Sequence, residues 1–102
     1  MRCYCCRLLP PRASFQTDVT PAELVLMKAH AAYWRDRMRE GKVVVFGPVA
    51  DSQGAWGLLV LQLPDDADPG ALTDADPVIR AACGFRFEIH PMQAVLPESS
   101  PG

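Results

Sequence analysis

Two unbroken apolar runs dominate the chain: Val43, Val44, Val45 and Phe46, then Leu58, Leu59, Val60 and Leu61, each rich in β-formers and bounded by Gly or Pro. They predict two strands joined by a polar, glycine-bearing loop. A sheet with one wet face alternates apolar and polar residues, so runs without alternation predict a sheet covered on both faces. Cys3 to Leu9 is apolar enough for an earlier strand, which Pro10-Pro11 ends because proline cannot donate to a ladder. Arg12 to Val19 shows no periodicity and reads as a connection. At Thr20-Pro21-Ala22-Glu23 the pattern becomes a capping box with proline at the first helical position, which predicts a helix. It should run to Arg39 or Glu40 and stop at Gly41, with Arg35, Arg37 and Arg39 near the negative end of its dipole. Leu24, Met27, Ala31, Trp34 and Met38 recur at helical spacing as the stripe expected to face the sheet, with His30 at its margin.

Beyond the two central runs, Pro64 to Gly70 is a turn-rich acidic connection, and Ala71 to Cys83 predicts a short second helix with a break point at Asp76-Pro77. Asp76 suits the N-cap of the segment Val78 to Cys83, and Gly84 suits its stop. Phe85, Phe87 and Ile89 alternate with Arg86, Glu88 and His90 as a last strand that trails through Met92 to Leu96. Residues 1–97 read as one domain and 98–102 as a frayed tail. The order is β-α-β-β-α-β, the α+β, ferredoxin-like arrangement with two helices on one face of a four-stranded antiparallel sheet. The second face then needs a cover that 102 residues do not supply. A second copy related by two-fold symmetry would supply it, so a homodimer with sheets packed face to face is expected.

Charge adds little to this picture. Ten basic and twelve acidic residues give a net charge of −2 and are mixed along the chain, so no basic stripe points to nucleic acid. No apolar run approaches the roughly 20 residues that cross a bilayer, and MRCYCCRLLP lacks the apolar core of a secretion signal, so no membrane contact and a cytoplasmic location are expected. Cys3, Cys5 and Cys6 are too crowded along one strand to bridge one another. Their C-x-C-C spacing also lacks the paired C-x-x-C of a zinc site, so they read as reduced, small hydrophobes and no metal is expected. No glycine-rich phosphate loop and no nucleophile elbow occurs.

The candidate chemistry lies in His30 and Asp76. A carboxylate that accepts from one ring nitrogen fixes the tautomer and leaves the other free to move a proton near neutral pH, without metal or cofactor. The plainer alternative makes Asp76 only an N-cap and His30 only a boundary residue. Asp51 competes as the partner of His30, against a plain role as turn former before Ser52 and Gly54. Trp34 and the strand ends would bound a small apolar pocket, although Trp34 and Trp56 both also suit core or interface positions. Gly47-Pro48 reads as a strand end, where glycine permits close backbone approach and leaves space a ligand can use. His90, out of phase with Ile89, is expected to face a neighbour or solvent.

His30 in the first helix, Gly47-Pro48 at the end of the second strand and Ala75-Asp76-Pro77 before the late helical segment, taken with this topology, resemble the YciI-like (YCII-related) family. The resemblance runs from the first strand to Leu96. It implies a small dimeric α+β barrel protein with a His–Asp pair in a pocket beside the sheet, His30 and Asp76 here. Trp34, Gly47, Pro48 and Asp51 are the expected contacts for a small-molecule ligand. The family pattern has a bulky aromatic after the Asp-Pro step, where this chain has Val78. A relative that acts as a dehydrochlorinase on a chlorinated hydroxyquinone implies acid–base chemistry of the elimination or isomerisation type. A non-catalytic module that binds a small ligand or a partner protein on the same scaffold is the alternative. A haem-independent oxygenase of the wider barrel group ranks third.

Overall fold

The computed structural model describes residues 1–97 and contains eight elements: β1 (Arg2–Leu9), α1 (Phe15–Asp18), α2 (Pro21–Arg39), β2 (Val43–Val49), β3 (Trp56–Leu63), α3 (Pro69–Asp74), α4 (Pro77–Arg80) and β4 (Arg86–Met92). The expected tail at 98–102 lies outside the described residues. The four strands form one antiparallel sheet in the order β2-β3-β1-β4, so the fold is α+β and ferredoxin-like. The helices lie on one face.

The apolar runs resolve differently in the two central strands. In β3, Leu59, Leu61 and Leu63 are buried under the helices, while Leu58, Val60 and Gln62 point to the other face and are half-buried. In β2 a bulge lies between Val43 and Val45, so Val43 pairs with Leu61 and Phe46 with Leu59, both on the helix side. The extra residue shifts the phase, which accounts for part of the missing alternation. Among the described residues nothing covers the second face, and Val45 is 46% exposed there. The sequence expected Gly47-Pro48 to end β2, yet the strand continues to Val49. β2 is an edge strand, so a proline without an N–H breaks no ladder bond, and the same holds for Pro91 in β4.

Helix α2 begins as its sequence dictates. The Thr20 hydroxyl accepts from the Glu23 backbone N–H at 3.2 Å, and the Glu23 carboxylate accepts from the Thr20 backbone N–H at 2.9 Å. It ends at Gly41, whose φ of +81° is a left-handed stop. The face it buries keeps Met27, Ala31 and Trp34 of the expected stripe but not its two ends. Leu24 is 49% exposed and Met38 38% exposed, whereas Leu26, Met27, His30, Ala31 and Tyr33 are half-buried and Trp34 is buried. The stripe is turned so that His30 lies within it. Apolar residues on two neighbouring faces of α2 made the sequence pattern ambiguous, and packing on the sheet selected one of them.

The first connection holds more structure than the sequence suggested, and the second helix breaks where the sequence placed its break point. The segment after Pro11 forms the single helical turn α1, and the expected second helix is two short ones split at Asp76-Pro77. Asp68 and Asp76 cap α3 and α4. The chain then turns through Gly84, at φ +105°, where an added Cβ would lie 2.8 Å from Pro11 Cβ. Only glycine fits that crossing, which brings the end of α4 beside the start of the first loop.

Candidate active site

Two helices bring the site together. His30 lies midway along α2 and Trp34 one turn later, so both side chains point from one face. Asp76 lies at the N-cap of α4, where its Oδ1 accepts from the Val78 backbone N–H at 3.0 Å. Its other oxygen is turned towards α2. His30 Nδ1 lies 2.6 Å from Asp76 Oδ2, and Trp34 Nε1–H donates to that same oxygen at 2.6 Å. Asp76 and Trp34 are both fully buried at 0% exposure, and the His30 side chain is 13% exposed. A buried carboxylate is tolerated only with such partners, so the cap and the histidine contact are one arrangement. Asp76 is thus at once the N-cap of α4 and the partner of His30.

His30 opens onto a cavity of about 220 Å³. Its walls are apolar and aromatic, with Phe15, Met27, Phe46, Trp56 and Phe87 among them, and its polar side chains besides the Trp34 ring nitrogen and that of Trp56 are His30 and Gln16. With Nδ1 engaged by Asp76, the ring's Nε2 is the nitrogen left for a guest. A neutral His30 held this way carries its proton on Nδ1 and offers a basic Nε2 lone pair.

The expected ligand contacts separate. Gly47 and Pro48 line the cavity, and a Cβ on Gly47 would meet nothing within 4 Å, so the glycine leaves open space and no close backbone approach occurs there. Trp34 stands in the wall with its only polar atom committed to Asp76. Asp51 is not in the wall and does not bond His30. It accepts from the Gln53 backbone N–H at 2.8 Å and from Trp56 Nε1 at 3.1 Å, which with the nearby Arg7 hold its carboxyl below the usual range. Asp51 therefore makes its turn and steadies Trp56, whose ring lies 4.5 Å from the Arg7 guanidinium. His90 pairs with Cys5 on the uncovered face.

Sequence reasoning missed the wall supplied by the first loop. Pro10, Phe15 and Gln16 line the cavity, and Phe15 packs edge-on against Phe85 at 5.3 Å. The loop is fastened from outside. Arg12 forms a two-pronged pair with Glu23, both contacts at 2.7 Å, and also reaches Asp18 Oδ1 at 2.7 Å and the Asp18 carbonyl at 2.9 Å. The Arg12 guanidinium, with the Thr20 backbone behind it, draws the Glu23 carboxyl down to about 2. A signal was present: an arginine followed at six and eleven residues by acids, one of them the capping-box glutamate. Among the described residues no group of three or more His, Cys, Asp or Glu converges as a metal site, and no helix is long and apolar enough to cross a membrane. Cys6, buried under the helices, has its thiol pushed up to about 12 by that burial and stays protonated.

Comparison with known proteins agrees on the family and adds nothing on the reaction. Among solved structures, a formyltetrahydrofolate deformylase from Pseudomonas putida KT2440 superposes with a TM-score of 0.42 at 15% identity, over 88% of this chain and 28% of that one. This chain thus spans under a third of that protein's length. A search of curated proteins returns no match. The model of the YCII-related domain matches residues 5–93, a span that includes His30, Trp34 and Asp76. The chain belongs to the YCII-related domain family.

Proposed function

We propose that this protein is a small enzyme that moves a proton on a small, largely apolar organic molecule, with His30 as the general base and acid and Asp76 as the group that orients it. The observation that carries this reading is the 2.6 Å contact between His30 Nδ1 and the buried Asp76 carboxylate at the wall of an apolar cavity. Histidine with a carboxylate behind it is the common pairing for proton transfer near neutral pH. In an elimination, Nε2 takes a proton from carbon, the C–H electrons form the double bond, and the leaving group departs with its own pair. In an isomerisation, the same nitrogen returns the proton to a different carbon. The two side chains suffice for either, so the reading calls on no metal or cofactor.

The cavity narrows the guest. Among the described residues its lining holds no lysine, arginine, aspartate or glutamate, so a phosphate or carboxylate would enter without a counter-charge from them. An apolar cavity of about 150 Å³ accepts benzene, and this one, at about 220 Å³, has room for a substituted single ring. That size fits the ring-compound chemistry implied by the family resemblance.

The protein works, in this proposal, as a homodimer in a reducing, cytoplasmic compartment. Cys3, Cys5, Leu58, Val60 and Val45 form an apolar band on the uncovered sheet face, and all four cysteines are free. Two such faces packed together would close a barrel. Val60→Arg should then give a folded monomer by sedimentation, and a variant that remains dimeric would remove this part of the proposal.

Deuterium wash-in tests the chemistry before the substrate is known. Neutral ring ketones and hydroxylated rings are incubated in D₂O with the protein, and exchange at their acidic C–H positions is followed by NMR. His30→Ala should abolish exchange that the wild type catalyses, while a folded wild type that binds such rings without exchanging any would make the protein a binding module.

A further inference from the structure

We infer that Trp34 is a positioning residue of the site: its ring N–H governs how strongly Asp76 holds the proton of His30. A buried indole N–H needs some acceptor, and if that were the whole story any acceptor would serve. The acceptor here is Asp76 Oδ2, the oxygen His30 itself uses, and both contacts are 2.6 Å. Positions 30 and 34 are one turn apart on α2, so one helix face presents both donors to one point. The other oxygen is taken by the Val78 N–H.

This sharing has a chemical consequence. An ionised carboxylate oxygen has two in-plane lone pairs, and Oδ2 has two ring nitrogens at 2.6 Å to occupy them. Asp76 can therefore orient His30 without drawing the Nδ1 proton onto itself, which leaves Nε2 as the outlet for proton transfer. The indole also draws off part of the charge that would otherwise stabilise the imidazolium, so His30 releases its proton more readily than it would beside an unshared carboxylate. Asp76 is the charged group that meets the ring. Among the described residues lining the cavity none besides His30 carries an ionisable side chain, and on α2 itself the charges one face away, Glu23 and Arg37, are taken up by Arg12 and Glu40.

The inference rests on the His30–Asp76 arrangement of the proposed function, but its test needs no substrate. His30 is titrated by NMR in the wild type, in Trp34→Phe and in a protein carrying 3-benzothienylalanine at position 34, which keeps the indole shape with sulfur in place of N–H. The expected result is a rise in the His30 midpoint of about half to one pH unit in both, a roughly three- to tenfold gain in proton affinity. The isosteric analogue decides the matter if Trp34→Phe does not fold. An unchanged or lowered midpoint in the folded analogue would overturn the inference and leave Trp34 as a core residue. Failure of the deuterium exchange, by contrast, would remove the catalytic reading while leaving this result standing.

Discussion

Two polar clusters flank the first half of α2, with almost the same bond lengths and opposite surroundings. One is Asp76 with His30, Trp34 and the Val78 N–H, at 2.6 to 3.0 Å around a carboxylate that is fully buried. The other is Arg12 with Asp18 and Glu23, at 2.7 to 2.9 Å and partly open to water, the Arg12 and Asp18 side chains being 35% and 49% exposed. Length does not rank them; burial does. A donor stripped of its partner in the interior keeps its full desolvation cost, while one on the surface turns to water. The inner cluster can therefore hold a histidine in one orientation, and the outer one can only fasten a loop.

The largest expected effect comes from Asp76→Ala. It strands the Trp34 and Val78 N–H groups inside, and should lower unfolding free energy by about 3–5 kcal/mol. Denaturant unfolding measures it, and a loss below about 1 kcal/mol would mean that the cluster does not stabilise the fold. His30→Ala should cost less, about 1–2 kcal/mol, because Asp76 keeps two donors. The same variant should lose all proton exchange, so stability and activity part company at this residue.

Arg12→Ala should be milder still for global stability. Its signature is local: faster amide exchange across residues 12–18 and a wider cavity mouth, as Phe15 and Gln16 lose their fastening. High salt should shrink the difference from wild type, as it would not for Asp76→Ala. The smallest effect is that of pH on the clasp. Glu23 is held at about 2, below its ordinary 4.5, so its pairing stabilises the folded state fully above 4.5 and is lost as pH falls from there through 2. The gap between wild type and Arg12→Ala should be flat above 4.5 and close below it; a gap that persists at pH 2 would show that Arg12 acts by something other than this charge pair.

How much of this was legible in the chain follows from where the information sits. The start of α2 was readable because Thr20, Pro21 and Glu23 act on one another within a single turn. The end at Gly41 was readable for the same reason. The rotation of α2 was not, since Leu24 and Met38 are as apolar as Leu26 and Met27, and only packing on β1 to β3 decides between those faces. The pairing of His30 with Asp76 spans 46 positions, and their residue types alone could not exclude Asp51. The resemblance to a family supplied that choice. Trp34 as a donor to Asp76 was invisible, because an apolar-stripe tryptophan gives no hint of where its N–H points. The β2 bulge hid within three consecutive valines.

The central claim is that Asp76 fixes His30 by Nδ1 and frees Nε2 towards the cavity. The most direct measurement is the ¹⁵N spectrum of the neutral His30 ring at high pH, alone and with a small neutral ring compound such as p-cresol. The account predicts a single Nδ1–H tautomer in the wild type and a change confined mainly to Nε2 when the compound is added. An Nε2–H tautomer, or a ring that averages between the two, would contradict it.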